Sequence, residues 1–391
     1  MKTYLDHNAT TPMRPEVLQA MLPYLQGRFG NANSIHSWGR GARQALEEAR
    51  EVVASALGAR DRESVVFVSS GTEADNLALK GAALAAMARG RHVVTTAVEH
   101  HAVINTCRSL EGQGCDVTYL PVDEDGLIGA DAVERSLRAD TTVVSVMHAN
   151  NETGVILPIA DVGQLARARG IAFHTDAVQT FGRLPIDVES LGVDLLSLSG
   201  HKIYGPKGIG ALYVRPGTPM VPLVHGGQQE RGRRPGTENV AAAVGLARAV
   251  ELALASMEHE AEHLQRLRDR LERGILQRID GTRRNGHRER RLPNTSNISF
   301  QGADDESLIL ALDLEGIAVA AGAACTSGSL EPSHVLHAMG RDPDIDGGAV
   351  RFSLGAGTTD AEIDRVLELL PALVERIRAA CGRLQPVEAR R

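Results

Sequence analysis

The chain of 391 residues contains few cysteines, few aromatic side chains and few lysines. Its four cysteines show no C-x-x-C spacing, which excludes a disulfide-stapled scaffold and indicates a reducing compartment. The N-terminal sequence shows no secretory leader, so we expect the protein to be cytoplasmic. The uninterrupted apolar runs are shorter than the about 18 residues of a membrane span, and we therefore expect no membrane partner.

A net charge of −7 and an aromatic content of 3% exclude a strongly basic, aromatic-rich surface, so we expect no nucleic-acid partner. Arginine replaces lysine almost throughout, and four lysines remain: Lys2, Lys80, Lys202 and Lys207. An amine forms a Schiff base and a guanidinium does not. The two lysines that share one short loop, Lys202 and Lys207, are therefore candidates for chemistry, with a surface position as the alternative for either.

The middle of the chain predicts an α/β fold. Between residues 63 and 214, short β-branched runs alternate with amphipathic segments, which is typical of βαβ units and a mostly parallel sheet flanked by helices. A long helical pattern covers 239–279, and the arginine-rich run 281–294 reads as a solvated loop. We predict a large domain over 15–260 and a smaller α+β domain formed by 1–14 and 261–391, with a loop around Cys325 at about 321–333.

Two glycine-containing segments follow predicted strands. In SSGTEADN (69–76) the backbone at Gly71 and Thr72 could bind a phosphate at the start of a helix, and an ordinary N-cap formed by Thr72 is the alternative. In SLSGHKIYGPKGIG (197–210) Lys202 lies directly after a strand. The segment lacks the GK[ST] ending of a P-loop, which excludes ATP binding by that route.

Carboxylate and imidazole side chains follow two further strands. Asp176 in HTDAVQT (174–180) could pair with the protonated ring nitrogen of a pyridoxal cofactor. Metal ligation by His174 and Asp176 is the alternative, although no third ligand at a suitable spacing supports it. His100 and His101 follow the strand HVVTTAV, and one of them could stack on a ring or carry protons.

Cys325 lies in AGAACTSGS (321–329), a run of small residues between glycines. A thiol in such a loop is a candidate nucleophile, whereas a lone cysteine is more often a small buried hydrophobic residue. We assign Cys107, which lies within a helical pattern, to that second class.

Ten short motifs follow one another along the chain: LDHNATTP (5–12), GNANSIHSWG (30–39), SSGTEADN (69–76), EHHAV (99–103), MHANNETG (147–154), HTDAVQT (174–180), SGHKIYGPKG (199–208), GGQQERGRRPGTEN (226–239), ACTSGSLEPSHVL (324–336) and RFSLG (351–355). Together they resemble the cysteine desulfurases, pyridoxal-phosphate enzymes of fold type I in the class V aminotransferase group, and the NifS branch most closely. The resemblance covers nearly the whole chain.

The resemblance implies a role for each matching residue. Lys202 would hold pyridoxal 5'-phosphate as a Schiff base, Asp176 would pair with the ring nitrogen, and His100 would stack on the ring. Gln179 would contact the ring hydroxyl, and Asn151 and Arg351 would lie near the ring and the substrate carboxylate. The implied phosphate ligands are Gly71, Thr72, Ser199 and His201, with Thr237 reaching over from the second subunit of a homodimer.

The implied reaction removes sulfur from L-cysteine. Cys325 would take the sulfur as a persulfide, L-alanine would be released, and Lys202 and His100 would move the protons. The sulfur would pass to an iron–sulfur scaffold protein, and in the NifS branch this supply serves nitrogenase maturation. We expect no metal ion held by the fold itself, while Cys325 is a candidate ligand for an iron–sulfur cluster.

Two other functions fit parts of the sequence. Another fold-type-I enzyme, such as a transaminase or a selenocysteine lyase, would share the pyridoxal residues, and a transaminase would not need Cys325. A non-catalytic binding protein could keep the same fold for assembly contacts. The joint presence of Lys202, Asp176, His100 and Cys325 argues against the non-catalytic alternative.

Overall fold

A computed structural model describes residues 2–322 and 333–384 of the chain. The strands are β1 (Thr3–Tyr4), β2 (Val65–Val68), β3 (His92–Thr96), β4 (Asp116–Leu120), β5 (Thr141–Ser145), β6 (Ala172–Asp176), β7 (Leu195–Ser199), β8 (Gly210–Val214), β9 (Thr282–Asn285), β10 (Thr295–Phe300), β11 (Ile317–Ala318) and β12 (Gly348–Ser353). The helices are α1 (Pro15–Leu25), α2 (Ser37–Ala56), α3 (Gly71–Ala85), α4 (His101–Glu111), α5 (Ala130–Ser136), α6 (Ile159–Ala168), α7 (Val240–Arg278), α8 (Asp305–Leu314), α9 (His334–Ala338), α10 (Pro343–Asp346) and α11 (Asp360–Leu384).

The central sheet has seven strands in the order β2-β8-β7-β6-β5-β3-β4. All neighbouring pairs are parallel except the two that involve β8, which runs antiparallel to both β2 and β7. Every residue of β3, β5 and β7 is buried, as expected for strands that helices cover on both faces. The predicted mostly parallel, helix-flanked sheet is confirmed, and β2, β3, β5, β6 and β7 all end at the same edge.

A second hydrophobic cluster lies beside a three-stranded antiparallel sheet of order β12-β10-β9. It contains Leu5 near the N-terminus together with apolar residues of the second half of α7, of α8 and of α11. Along α7 the core residues pass from the first cluster at Ala253 to the second at Leu264. The predicted division into 15–260 and its complement stays a prediction.

Helix α7 is long and apolar enough, by length and composition, to cross a membrane, and it is the one described helix of which this is true. In its most apolar 18-residue window 56% of the residues are buried, and α1, α2 and α11 pack against it. We therefore interpret α7 as a core helix.

The interpretation of the arginine-rich run 281–294 as a solvated loop was wrong in part. Residues Thr282–Asn285 form strand β9, which pairs with β10. Arg291 is 7% exposed, and its guanidinium donates to both carboxylate oxygens of Glu272 on α7. Arg284 adds a third contact to that carboxylate, Nη1 to Oε1, at 3.4 Å. The buried carboxylate of Glu272 therefore pairs with Arg284 and Arg291, whereas Arg283, Arg288 and Arg290 are exposed.

Candidate active site

A cavity of about 190 Å³ lies at the edge where the parallel strands end. This is the edge at which open α/β sheets bind ligands, because the turns after successive strands meet there. Ten of the predicted site residues line it: Gly71, Thr72, His100, Asn151, Asp176, Gln179, Ser199, His201, Lys202 and Arg351. The structure thus gathers side chains that lie as far apart in sequence as residues 71 and 351.

The start of α3 forms one wall of the cavity. Ser70, and not Thr72, is the N-cap: its hydroxyl accepts a hydrogen bond from the Glu73 amide at 3.1 Å. A Cβ added to Gly71 would lie 2.7 Å from Val178 Cγ2, so only glycine lets the backbone come this close to the β6 turn. The first-turn N–H groups of a helix have no intrahelical partner, which suits a phosphate.

Lys202 lies in the short 3₁₀ turn Gly200–Lys202 that follows β7. Its ammonium donates to two backbone carbonyl oxygens of the N-terminal segment, to Asn8 O at 2.5 Å and to Ala9 O at 2.8 Å. Asn8 is held in turn, since its Nδ2 donates to Asn151 O at 3.2 Å and to Thr295 Oγ1 at 2.9 Å. The amine is therefore oriented by backbone carbonyls.

Asp176 ends β6 and is 6% exposed. Burial raises the pKa of its carboxyl to about 6, although the Val178 amide, which donates to Oδ1 at 2.8 Å, and the charge of Lys202 both lower it. Asp75 on α3 lies beside it, and burial together with the Asp176 charge raises the pKa of Asp75 well above its ordinary value. Two neighbouring buried carboxyls do not ionise together readily, so the pair favours one negative charge.

His100 is the N-cap of α4, and its Nδ1 accepts from the Ala102 amide at 3.1 Å. Burial, together with the smaller effect of the Lys202 charge, lowers the pKa of the imidazole to about 4. The ring is consequently neutral at physiological pH, with Nδ1 serving as the acceptor. A neutral imidazole in a cavity can pack against an aromatic ring and accept a proton.

Arg351 on β12 is 1% exposed and reaches the cavity from the second sheet. Its Nη1 donates to Asn151 O at 3.0 Å and its Nη2 to Asp6 Oδ1 at 2.7 Å, while its buried Nε has no partner among the described residues. Each terminal nitrogen carries a second N–H. The guanidinium is thus held in place and keeps donors for a further anion.

Gln179 is 5% exposed and hydrogen-bonded at both ends of its amide. Its Nε2 donates to Asn8 O at 3.0 Å, and its Oε1 accepts from Arg183 Nη1 at 2.9 Å. Gln179 therefore joins the N-terminal segment to the turn after β6.

One described residue with a predicted site role, Thr237, does not line this cavity. Thr237 is exposed, in the segment before α7. Cys325 lies outside the described residues. Cys107, by contrast, is fully buried on α4, and burial raises the pKa of its thiol to about 12, so its predicted inert role agrees with its environment.

Six further residues line the cavity without a predicted role: Asn8, Ala9, Ser70, Asp75, Met147 and Val178. Asp75 had a usable signal, because it follows Gly71 by four residues on one helix and therefore shares its face. Asn8 and Ala9 lie in the motif LDHNATTP, but their residue types indicate no role, since they contribute carbonyl oxygens that every residue type carries.

The structure groups Asp176 with other possible metal ligands than the predicted His174. The two ring nitrogens of His174 contact Ser145 Oγ and Ser197 Oγ at 2.9 and 3.0 Å, so this ring is already hydrogen-bonded within the core. Asp75, His100 and Asp176 instead offer ligand atoms that all lie within 4.8 Å of one another. This corner of the cavity could hold a cation, either a metal ion or a protonated ring nitrogen.

Comparison with known proteins identifies the family of this chain. Residues 3–366 match the class-V aminotransferases. The chain belongs to that family. It is 50% identical over 377 residues to a cysteine desulfurase IscS of Dictyoglomus turgidum, covering 96% of this chain and 95% of the relative. The predicted resemblance to the cysteine desulfurases is confirmed.

Solved structures agree with this assignment. A NifS-like protein superposes with a TM-score of 0.87 at 38% identity, covering 98% of this chain and 100% of that protein. A second, described as SspA in complex with cysteine, has a TM-score of 0.81 at 38% identity and covers 92% of this chain and 100% of its own. This class-V chain is an enzyme that depends on pyridoxal phosphate.

The cavity fits pyridoxal phosphate on three observations. An amine (Lys202), a buried carboxylate (Asp176) and the start of α3 at Gly71 and Thr72 line the same space. These are respectively a group for covalent attachment, a partner for a ring nitrogen and a phosphate wall.

Proposed function

We propose that this enzyme is a cysteine desulfurase that transfers the sulfur of L-cysteine to Cys325 and releases L-alanine. The observation that carries the proposal is the convergence of Lys202, Asp176 and Arg351 on one cavity, in a chain whose relatives are named cysteine desulfurases. The relative described in complex with cysteine supports the substrate.

The residues proposed to contact the cofactor line the cavity at the edge where the parallel strands end. Lys202 holds the cofactor covalently, Asp176 pairs with the ring nitrogen, and His100 packs against the ring. The remaining assignments are Gly71, Thr72, Ser199 and His201 to the phosphate, Gln179 to the ring hydroxyl and Asn151 to the region between ring and substrate. When bound, pyridoxal phosphate supplies an electron sink for the bonds at the substrate Cα.

Arg351 binds the substrate carboxylate in this proposal. Its guanidinium is buried and pre-oriented by Asp6 and by the Asn151 carbonyl, so little side-chain entropy is lost when a carboxylate arrives. Lys202 and His100 move the protons of the reaction, and the Lys202 amine returns one to the substrate carbon skeleton.

Cys325 acts on the substrate sulfur. Its thiolate attacks that sulfur, an S–S bond forms, and the substrate C–S bond breaks with its electron pair left on the carbon skeleton. Protonation of that carbon yields alanine, and Cys325 is left as a persulfide. No outside oxidant is required, because the sulfur of L-cysteine is transferred in the zero-valent state and its carbon skeleton is reduced in the same step.

A homodimer completes the site in this proposal, with Thr237 directed to the phosphate in the partner subunit. The segment that carries Thr237 is firmly anchored: Glu230 has a left-handed backbone (φ 47°) and accepts from Arg50 Nη1 and Nη2 at 2.7 and 2.8 Å. A separate stretch of the chain, 25–38, exposes four large apolar side chains: Leu25, Phe29, Ile35 and Trp38. Such exposure is typical of a protein–protein interface.

The acceptor of the persulfide sulfur is proposed to be an iron–sulfur scaffold protein in the cytoplasm. Within that role, service to nitrogenase maturation is the narrower hypothesis, and the names of the relatives specify the reaction without specifying the acceptor. The test is whether expression of this chain restores nitrogenase activity, or only general iron–sulfur enzymes, in a host that lacks its own desulfurases.

The decisive experiment measures sulfide and alanine from L-cysteine and a reductant. We expect equal amounts of both products from the native enzyme and neither from Cys325→Ala, which should keep the cofactor absorbance. Full product formation by Cys325→Ala would refute sulfur transfer through Cys325, and turnover of L-cysteine without alanine would indicate another pyridoxal reaction, such as transamination. Lys202→Ala should hold no cofactor that borohydride can fix to the chain; a fixed cofactor in this variant would refute the site.

A further inference from the structure

Every polar atom of Asn8 is hydrogen-bonded to another part of the chain, and the residue is 1% exposed. Its side-chain Nδ2 donates to Asn151 O at 3.2 Å and to Thr295 Oγ1 at 2.9 Å, while its Oδ1 accepts from Asn294 Nδ2 at 3.0 Å. Its backbone amide donates to Ser353 Oγ at 3.0 Å. An asparagine side chain carries two N–H donors, so both are in use and the orientation of the amide is fixed.

The backbone carbonyl of Asn8 contacts two residues that line the cavity. It accepts from Lys202 Nζ at 2.5 Å and from Gln179 Nε2 at 3.0 Å, and the next carbonyl, that of Ala9, accepts from Lys202 Nζ at 2.8 Å. A carbonyl oxygen has two lone pairs, and here both accept from residues that are proposed to contact the cofactor. The position of the Lys202 amine is therefore set by the position of residue 8.

The side chain of Asn8 is also connected to the substrate side of the cavity. The Asn151 carbonyl that accepts from Asn8 Nδ2 accepts from Arg351 Nη1 as well, at 3.0 Å. Two further partners of Asn8, Thr295 on β10 and Ser353 on β12, belong to the three-stranded sheet that carries Arg351. One residue thus holds the lysine amine, which follows a strand of the central sheet, in a fixed relation to the guanidinium on the smaller sheet.

We propose that Asn8 is a positioning residue that aligns the Lys202 amine with the cofactor and with Arg351. The inference rests on the part of the proposed function that attaches pyridoxal phosphate to Lys202. In that attachment the amine nitrogen bonds to the aldehyde carbon of the cofactor, and water leaves with the aldehyde oxygen. A lysine side chain is a flexible four-carbon stem, and a displacement of about 1 Å can lower a rate by about 10²-fold. An amine held at two carbonyls therefore reacts faster than one that is released.

The first test measures covalent attachment in the full chain from which the cofactor has been removed. Pyridoxal phosphate is added at a saturating concentration, samples are reduced with borohydride at successive times, and mass spectrometry quantifies the cofactor fixed at Lys202. The other three lysines, Lys2, Lys80 and Lys207, serve as internal references. Asn8→Ala should lower the attachment rate at Lys202 by about tenfold or more. An unchanged or higher rate in this variant would overturn the inference.

A second ligand distinguishes positioning from damage to the cavity. The analogue 4′-deoxypyridoxine 5′-phosphate has a methyl group in place of the aldehyde, so its binding involves the cavity without the attachment step. Asn8→Ala should bind this analogue with a Kd within about threefold of the native value, because the start of α3 and Asp176 are unchanged. A Kd raised by as large a factor as the attachment rate is lowered would indicate a damaged cavity and would refute the positioning role.

Two neighbouring hydroxyls on β10 provide a matched pair of variants. Thr295 does not line the cavity, and its Oγ1 accepts from Asn8 Nδ2. Thr295→Val should therefore slow attachment by a smaller factor than Asn8→Ala does, since the Asn151 carbonyl still holds the side chain. If Asn8→Ala does not fold, Thr295→Val decides, and attachment at the native rate in that variant would overturn the inference.

Ser296 supplies the control. It is also buried, lies on the opposite face of β10 from Thr295, and donates to Glu272 Oε2 on α7 at 2.7 Å. Ser296→Ala removes a buried hydroxyl from the same strand and should leave the attachment rate unchanged. An equal slowing in Ser296→Ala and Thr295→Val would show that loosening of β10 explains the effect and would refute the role of Asn8.

The native chain separates failure of the inference from failure of the proposed function. Cofactor that borohydride fixes at another lysine, or at none, in the native chain would refute the proposed role of Lys202. Fixation at Lys202 with equal rates in the native chain and in Asn8→Ala would refute the inference alone.

Discussion

Asp176 in the cavity and Glu272 on α7 are buried to the same extent, each 6% exposed, yet their pKa values move in opposite directions. Burial raises the pKa of Asp176 to about 6, whereas hydrogen bonds from Arg291 and Ser296 and the charge of Arg284 outweigh burial and lower that of Glu272. Glu272 has its cations within the fold. The charge of Lys202 also lowers the pKa of Asp176, but it does not outweigh burial. The Asp176 carboxylate can therefore pair with a positively charged group of a ligand.

The largest expected effect is a loss of activity, without a loss of stability, when Asp176 is replaced. Asp176→Asn should lower kcat for alanine formation by about 10²-fold or more, because the variant cannot stabilise a protonated ring nitrogen. Its melting temperature without cofactor should hold or rise, since a poorly paired buried charge is removed.

Glu272→Gln is the matched variant on the other side of the comparison. It should keep kcat but lose about 3 kcal/mol of unfolding free energy, because Arg291 and Arg284 lose their anionic partner. Steady-state kinetics and thermal denaturation measure both variants. An activity loss in Glu272→Gln as large as that in Asp176→Asn would contradict the distinction drawn here.

A smaller effect concerns pH. Burial raises the pKa of Glu99 to about 8, so the folded chain keeps a proton that the unfolded chain loses above the ordinary value of 4.5. Unfolding free energy of the cofactor-free protein should therefore fall as the pH rises between these values, by up to about 1.4 kcal/mol per pH unit for this group. Glu99→Gln should flatten that slope in urea titrations at several pH values; an unchanged slope would argue against a protonated Glu99.

Glu272 should show the opposite sign. Because its pKa is lowered from 4.5 in the folded chain, the stability that it contributes is present above the ordinary value and is lost as the pH falls through the folded-state value.

The smallest effect is expected at the surface. Asp360 is paired with Arg266 through two bonds of 2.8 and 2.9 Å, and these hydrogen bonds lower the pKa of Asp360 to about 2. Both side chains are exposed, so solvent screens the pair and Arg266→Ala should change the melting temperature by about 1 °C or less. A loss comparable to that of Glu272→Gln, measured at low and at high salt, would show that burial is not what distinguishes these carboxylates.

Much of the fold and the cavity could be predicted because its signals are local. Strands such as β3 and β5 are continuous β-branched runs, and Lys202 and Asp176 directly follow strands, so parallel topology brings them to one edge. The direction of β8 was not predicted, because a strand's residues do not encode which way its neighbour runs.

What could not be predicted depends on partners distant in sequence. Arg291 looks solvated until Glu272, 19 residues earlier, is placed beside it. Asn8 contributes a carbonyl oxygen to Lys202, 194 residues later, and a carbonyl has no signature in the sequence.

The N-terminal segment sets the order in which the cavity can be assembled. Strand β1 pairs with β11, and the Asn8 amide donates to Ser353 Oγ across 345 residues of chain. The ribosome therefore delivers the first wall of the cavity at the beginning of translation and the last wall almost at its end. Capture of pyridoxal phosphate, visible as the yellow colour of the protein, should then be among the final steps of biogenesis, and a stalled chain that ends before Ser353 should stay colourless.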